Sequence, residues 1–290
     1  MIVQIPSAEK IRSNHYIAAL GDIYNNILND VRSKELFGLG EPFIAYYLEH
    51  FLRIHPRVLQ RLQEPKAIDS AAYKQVIKAI KEKARPVFGV FEQRSSKRQE
   101  LLDAQDIHAL LETHKSTQER VQYYDEIFTL FPRTTKSILD IGSGMHPLQF
   151  LSKKNNVAQY DTIEVSHQMS ALYEHHMQDK VKQHTHYVTH FPIYFEEVIA
   201  QTNTYDVVCA FKIFDTLEQQ KRHSTVKIIG LLKTKLLIAS FSMKNIRGQH
   251  MERTQAGWFE KVVRQLEGTI EQKVMIHDEL FYLVSLRKSD

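Results

Sequence analysis

Residues Ser137 to Phe150 read SILDIGSGMHPLQF, and this stretch decides the fold. Ile138, Leu139 and Ile141 form the short apolar run expected of a strand covered on both faces. Gly142-Ser143-Gly144 follows at once, and Pro147 suits the first turn of a helix. A strand that ends in a glycine turn and feeds a helix N-terminus is a nucleotide cradle. The glycines let the backbone come close to a ligand, and the free N–H groups favour electron-rich atoms. The third glycine of the dinucleotide fingerprint is absent, and no Gly-Lys-Ser/Thr of a phosphate loop follows.

Outward from this turn, strand and helix patterns alternate. Strands are predicted at Ile138–Ile141, Tyr160–Val165, His186–Thr189, Tyr205–Phe211, Leu236–Ser240, Thr269–Val274 and Phe281–Leu286. Helices are predicted near Pro147–Lys154, Gln168–Lys182, Leu217–Leu232 and Gln255–Leu266. Such alternation implies a mainly parallel, doubly wound α/β sheet. The last two strands are joined by a short turn through His277-Asp278, so they should pair antiparallel. A ligand should then lie outside the carboxyl ends of the central strands. There the sequence offers Gly142–Gly144, then Glu164, then His190-Phe191, then Phe211-Lys212. Glu164, 22 residues after Gly142, suits the ribose-binding acid of such folds. Before the first of these strands, HKSTQER (His114–Arg120) opens a helix through Tyr123, Ile127 and Leu130. Ser116 or Thr117 with Gln118 or Glu119 offers a helix cap there.

At 290 residues the chain suits one large or two smaller domains, and 43% hydrophobic with 25% charged residues is ordinary for a globular protein. One cysteine, Cys209, lies in the apolar run DVVCAF, so no disulfide framework exists and a reducing compartment is expected. The N-terminus lacks a signal pattern and no apolar run reaches membrane-spanning length, which predicts a cytoplasmic protein without a membrane partner. His175-His176 with His184 and His186 lack spaced cysteines or a His-Glu-x-x-His pattern, and no metal is expected.

The net charge of +4 is unevenly placed. Residues 1–100 hold 16 Lys/Arg against 11 Asp/Glu, whereas the remaining 190 hold 22 against 23. Helices are predicted over Ile17–Val31, Pro42–His55 and Ala71–Ala84, with no convincing strand, giving an all-α domain over 1–105 and an α/β domain over 106–290. On the third helix Lys74, Lys78, Lys81 and Arg85 share a face. Lys83, Arg94, Lys97 and Arg98 add to it, opposed by Glu82 and Glu92. Composition leaves open a solvated face or a phosphate-binding surface.

Asp140 before Gly-x-Gly resembles the first motif of class I S-adenosylmethionine (SAM) methyltransferases, whose seven-stranded mixed sheet ends in an antiparallel pair. More specifically, HKSTQERVQYYDEIF, ILDIGSGMHPLQF, AFKIFDTLEQQ, and SFSMKNIRGQHME with AGWFE are similar to the aminoglycoside-resistance 16S rRNA methyltransferases (the Arm/Rmt group). The likeness runs from about Ser70 to the C-terminus. It implies SAM-dependent methylation of N7 of guanine-1405 in 16S rRNA of the small (30S) ribosomal subunit, with the basic helical region as the rRNA-docking domain through Lys74, Lys78, Lys81 and Arg85. By the same resemblance His114, Ser116, Thr117 and Arg120 border the methionine end of the cofactor, Arg120 pairing with its carboxylate. Asp140, Gly142, Ser143 and Gly144 form the cofactor turn, Glu164 takes the ribose, and Phe211 packs nearby. Lys212 and Arg247 face the reaction centre, and the loop Ser242–Arg253, with Lys244, Arg247 and Arg253, covers the target guanine and grips phosphates.

Two positions depart from that pattern. Met145-His146-Pro147 replaces Leu-Asn-Pro, and Thr189-His190 stands where an acid would accept the adenine amino group. A neutral imidazole can accept one hydrogen bond in its place. Methylation of another rRNA base, a non-catalytic rRNA-binding homologue, and a small-molecule methyltransferase are the alternatives. SAM binding, and dependence on ribosomes and on the basic helix, distinguish them.

Overall fold

A computed structural model describes residues 1–104, 106–153, 156–244 and 256–286. Its centre is a mixed sheet of β1 (Ile2–Ile5), β2 (Ser137–Ile141), β3 (Gln159–Glu164), β4 (His186–Thr189), β5 (Tyr205–Phe211), β6 (Thr234–Ser242), β7 (Thr269–Ile276) and β8 (Glu279–Ser285). The order is β1-β4-β3-β2-β5-β6-β8-β7. All neighbours are parallel except β8, which runs antiparallel to both β6 and β7. The seven expected strands are present in the class I methyltransferase arrangement, and the eighth is β1.

Alternation along the central strands separates two apolar layers. Ile138 of β2 and Val207, Cys209 and Phe211 of β5 face one layer with Phe128, Phe150 and Tyr173. Leu139, Ile141, Val208 and Ala210 face the other, with Phe195, Phe214 and Phe259. Cys209 is a buried free thiol.

Several local expectations change, among them the helix over Ile17–Val31, which is two, His15–Ala18 and Asp22–Val31, broken where Gly21 takes a φ of 53°. The first residues are not helical: Ile2–Ile5 pairs parallel with His186–Thr189 and extends the edge of the sheet. Four residues are too few to show an alternating pattern, and the pairing partner lies far away in sequence. Leu217–Leu232 is two helices, Phe214–Gln220 and Ser224–Leu231, separated where His223 takes a left-handed φ of 62°. A further helix, Phe191–Gln201, follows β4 directly with Pro192 in its first turn.

The N-terminal helices have their own core, in which Tyr24, Ile27, Phe43, Leu48, Tyr73, Val76 and Ile80 are buried. Ser70 caps the basic helix Ala71–Ala84 by accepting from the Tyr73 amide at 3.1 Å. This unit is fastened to the sheet beside the expected ligand site. Gly40 donates its amide to the Val165 carbonyl at 2.8 Å, and His167 donates to that of Gly38 at 2.9 Å.

Candidate cofactor cleft

A cleft of about 820 Å³, including its open mouth, lies at the carboxyl ends of β2 to β5. Gly142 and Gly144 form one edge, with φ of 65° and 55°. A Cβ on Gly144 would stand 2.6 Å from the His114 ring, and one on Gly142 would stand 2.8 Å from the Ile213 side chain. Both glycines are therefore required by conformation and by space.

Glu164, at the end of β3, crosses to this turn. Its carboxylate accepts from the amides of Gly144 at 3.1 Å, Val165 at 2.8 Å and Ser166 at 3.3 Å. Burial pushes its pKa up to about 7, against the lowering effect of these hydrogen bonds. Opposite, at the end of β4, Thr189 and His190 line the cleft. Thr189 Oγ1 and His190 Nε2 are both buried without a hydrogen-bond partner. Burial, then the Lys221 charge, holds His190 down at about 3, so its imidazole is neutral. Its ring packs against Phe43, Tyr46 and Tyr47, with centroids 4.7, 5.1 and 5.3 Å away. The N-terminal unit thus supplies a wall of the cleft, to which Phe88 and Phe91 also contribute.

Phe211 and Lys212 close the far end. Lys212 has a left-handed φ of 55°, held by its amide donating to the Ser240 carbonyl at 3.0 Å and the Ser240 hydroxyl at 3.1 Å. Its Nζ lies 2.9 Å from Glu119 and 3.3 Å from Glu279. Glu279 also accepts from the Ser240 hydroxyl and receives both arms of Arg120 at 2.8 Å. The Arg120 guanidinium lies 5.4 Å from the Phe211 ring centroid.

Of the residues singled out in the sequence, His114, Ser116, Gly142, Gly144, Glu164, His190, Phe211 and Lys212 line this one cleft. Four others are nearby but engaged elsewhere. Arg120 is paired with Glu279. Asp140 is buried and accepts from His146 Nδ1 and the Tyr160 hydroxyl, both at 2.8 Å. His146, one of the two departures, therefore belongs to the support behind the turn. Ser143 contacts the Tyr173 hydroxyl at 3.1 Å. Thr117 does not cap its own helix; its hydroxyl accepts from the Met145 amide at 3.2 Å and lies 3.1 Å from His114 Nδ1. It latches the turn from outside.

The basic helix divides into two pairs. Lys74 and Lys78 are exposed, Lys78 lying 3.9 Å from Glu82. Lys81 instead donates to the Ser33 hydroxyl at 2.8 Å, and Arg85 is paired with Glu35 at 3.0 Å. Arg98 leaves the expected basic surface altogether. It is fully buried, bonded to Glu92 at 2.6 Å, to Gln168 at 3.1 Å and twice to Thr113 at 2.8 Å. Lys244 is paired with Asp278 at 2.6 Å. Arg247 and Arg253 lie outside the described residues. Glu279 and the pairing of Glu92 with Arg98 carried no signal in the sequence, because each has meaning only through partners brought in by the fold.

The arrangement is similar to known proteins. The 16S rRNA methylase RmtB superimposes with a TM-score of 0.70 at 20% identity, over 94% of this chain and 99% of that one. The methyltransferase RmtF, in complex with S-adenosyl-L-homocysteine, gives a TM-score of 0.70 at 20% identity, over 95% and 99%. In sequence, the 16S rRNA (guanine(1405)-N(7))-methyltransferase of Serratia marcescens is 26% identical over 189 residues, 63% of this chain and 71% of that protein. The family model described as ribosomal RNA methyltransferase (FmrO) matches residues 97–283. That span contains the glycine turn and every strand of the sheet but β1 and the end of β8, and the chain belongs to the FmrO family of ribosomal RNA methyltransferases.

Proposed function

We propose that this chain methylates N7 of the guanine equivalent to position 1405 in 16S rRNA of the small ribosomal subunit, using SAM. Acting on that subunit, it would work in the cytoplasm and protect the decoding region from aminoglycosides. Among the described residues no helix is long and apolar enough to cross a membrane. The observation that carries the cofactor reading is the pair of orphaned buried atoms, Thr189 Oγ1 and His190 Nε2, in a cleft opposite the Gly142–Gly144 turn. Buried polar groups are rarely left unpaired, and an adenine edge offers the complementary donors and acceptors. Glu164 would accept from ribose hydroxyls, His114 and Ser116 would border the methionine end, and Phe211 would pack alongside. Gly142 and Gly144 would bring the backbone close.

SAM supplies an electrophilic methyl group on a sulfonium. Guanine N7 carries an unprotonated lone pair, so the protein needs no general base and contributes chiefly position and orientation. Lys212, presented by its left-handed backbone beside Glu119 and Glu279, would face the reaction centre together with Arg247. Arg120 acts as a positioning residue, since Glu279 already takes its two arms and its guanidinium lies against Phe211. Lys74 and Lys78 would meet rRNA phosphates, with Lys81, Arg85, Lys244 and Arg253 at the edges of that contact. Extruding the guanine costs a few kcal/mol, offset by contacts in the pocket.

The test is methyl transfer from labelled SAM to purified small subunits lacking the modification, with free 16S rRNA as control. The labelled base would be mapped by borohydride–aniline cleavage. Cleavage at guanine-1405 is expected. Labelling elsewhere would retain the enzyme and reject the target, whereas cofactor binding without labelling would make the chain a non-catalytic rRNA-binding homologue.

A further inference from the structure

The helix His167–Met177 packs on β4 and brings Glu174 over His184 and His186. One donor atom from each lies within 4.8 Å of the others. Glu174 Oε2 is 3.3 Å from His184 Nε2 and 3.7 Å from His186 Nε2. Metal–nitrogen bonds of about 2.0–2.1 Å in a tetrahedral shell place donor atoms about 3.3 Å apart, so these separations need little adjustment.

His186 supplies a second, independent indication. Its side chain is fully buried and its Nε2 has no hydrogen-bond partner. Its other nitrogen, Nδ1, lies 2.9 Å from the Thr162 hydroxyl. A proton on Nδ1, donated to Thr162, leaves the lone pair on Nε2 aimed at Glu174 and His184, as in metal sites where an outer partner sets the tautomer. The Met1 α-ammonium lies 2.6 Å from the same Glu174 Oε2 and would move aside when an ion binds. Glu174 is 43% exposed and His184 14%, which leaves a path for an ion to enter.

We propose that Glu174, His184 and His186 form a zinc-binding site, with a water molecule completing the shell. Two imidazoles and one carboxylate are a donor set that zinc favours. Three protein ligands and a water make an open shell, and its distance from the cleft gives it a clamping rather than a catalytic role. His186 precedes His190 by four residues, about 13 Å along a strand, so the ion stands at the opposite end of β4 from the cleft. It would clamp the helix to β4. Met169 near the start of that helix and Thr189-His190 at the end of the strand both line the cleft, so the clamp would hold two of its walls together.

The test is titration of the chelator-stripped full chain with zinc chloride by calorimetry, alongside thermal unfolding. One equivalent should bind with micromolar or tighter affinity and raise Tm by several degrees. Glu174→Gln and His184→Gln, both at solvent-accessible positions and checked for folding by circular dichroism, should each weaken binding at least tenfold and abolish the Tm rise. Cobalt substitution should give tetrahedral d–d absorption in the parent chain and not in either variant. Absence of saturable binding in the parent, or undiminished binding in both folded variants, would overturn the proposal.

Discussion

Arg120 and Glu279, 159 residues apart, form a two-armed ion pair with both bonds at 2.8 Å, and each side chain is only 6% exposed. The pair joins the segment before β2 to the start of β8. Removing one member of such a buried pair leaves an uncompensated charge, which costs about 3–5 kcal/mol, whereas apolar replacement of both is often neutral. Glu279→Gln should therefore lower stability by roughly that amount in urea denaturation, and Arg120→Met with Glu279→Leu should recover most of it. Burial works to raise the Glu279 pKa, but Arg120 and Lys212 prevail and hold it below the usual value. The folded pKa is thus depressed. The stabilisation should be complete above the ordinary glutamate range and lost as pH falls through the folded value, a limb that Glu279→Gln should flatten.

Glu164 should behave in the opposite sense. Its folded pKa is raised to about 7 by burial, so the folded state binds the extra proton and stability should fall as pH rises from about 4.5 to 7. Glu164→Gln should remove this decline, leaving denaturant resistance flat across that pH range. The same change should weaken binding of S-adenosyl-L-homocysteine measured by calorimetry, because the ionised acceptor for the ribose is lost. Unchanged affinity would remove Glu164 from the proposed site.

His190→Phe keeps an aromatic ring among Phe43, Tyr46 and Tyr47 while deleting the unpartnered nitrogen. A single hydrogen bond contributes about 0.5–1.5 kcal/mol, so cofactor affinity should fall by about two- to twelvefold with little loss of stability. Equal affinity would show that the orphaned nitrogen does not meet the cofactor.

The two halves of the basic helix should be distinguishable on the ribosome. Lys74 and Lys78 are exposed, Lys78 with only a loose 3.9 Å approach to Glu82, whereas Lys81 and Arg85 are held more closely, by Ser33 at 2.8 Å and Glu35 at 3.0 Å. Lys74→Ala and Lys78→Ala should each weaken small-subunit binding and reduce the slope of affinity against salt by about one. Lys81→Ala should act mainly on folding stability, read by thermal denaturation, with a smaller effect on the salt slope.

The amino-acid sequence by itself determined the architecture and the position of the cleft. SILDIGSGMHPLQF carries its information locally: apolar residues buried on both faces, two glycines with left-handed φ, and a helix start. The alternation of patterns after it specifies which strand ends converge, and so Glu164, His190, Phe211 and Lys212 could be named from the chain alone. Tertiary structure decided which partners the polar side chains take. It turned Asp140 towards His146 and Tyr160, gave Arg120 to Glu279, buried Arg98 with Glu92, and brought Glu174 over two histidines. It also made Ile2–Ile5 a strand, since β pairing takes its stabilisation from a neighbour that four residues cannot specify. Arg120 and Glu279 lie 159 residues apart, and even the six-residue separations of Asp140 from His146 and of Glu92 from Arg98 run from one element into the next, so only folding selects these partners.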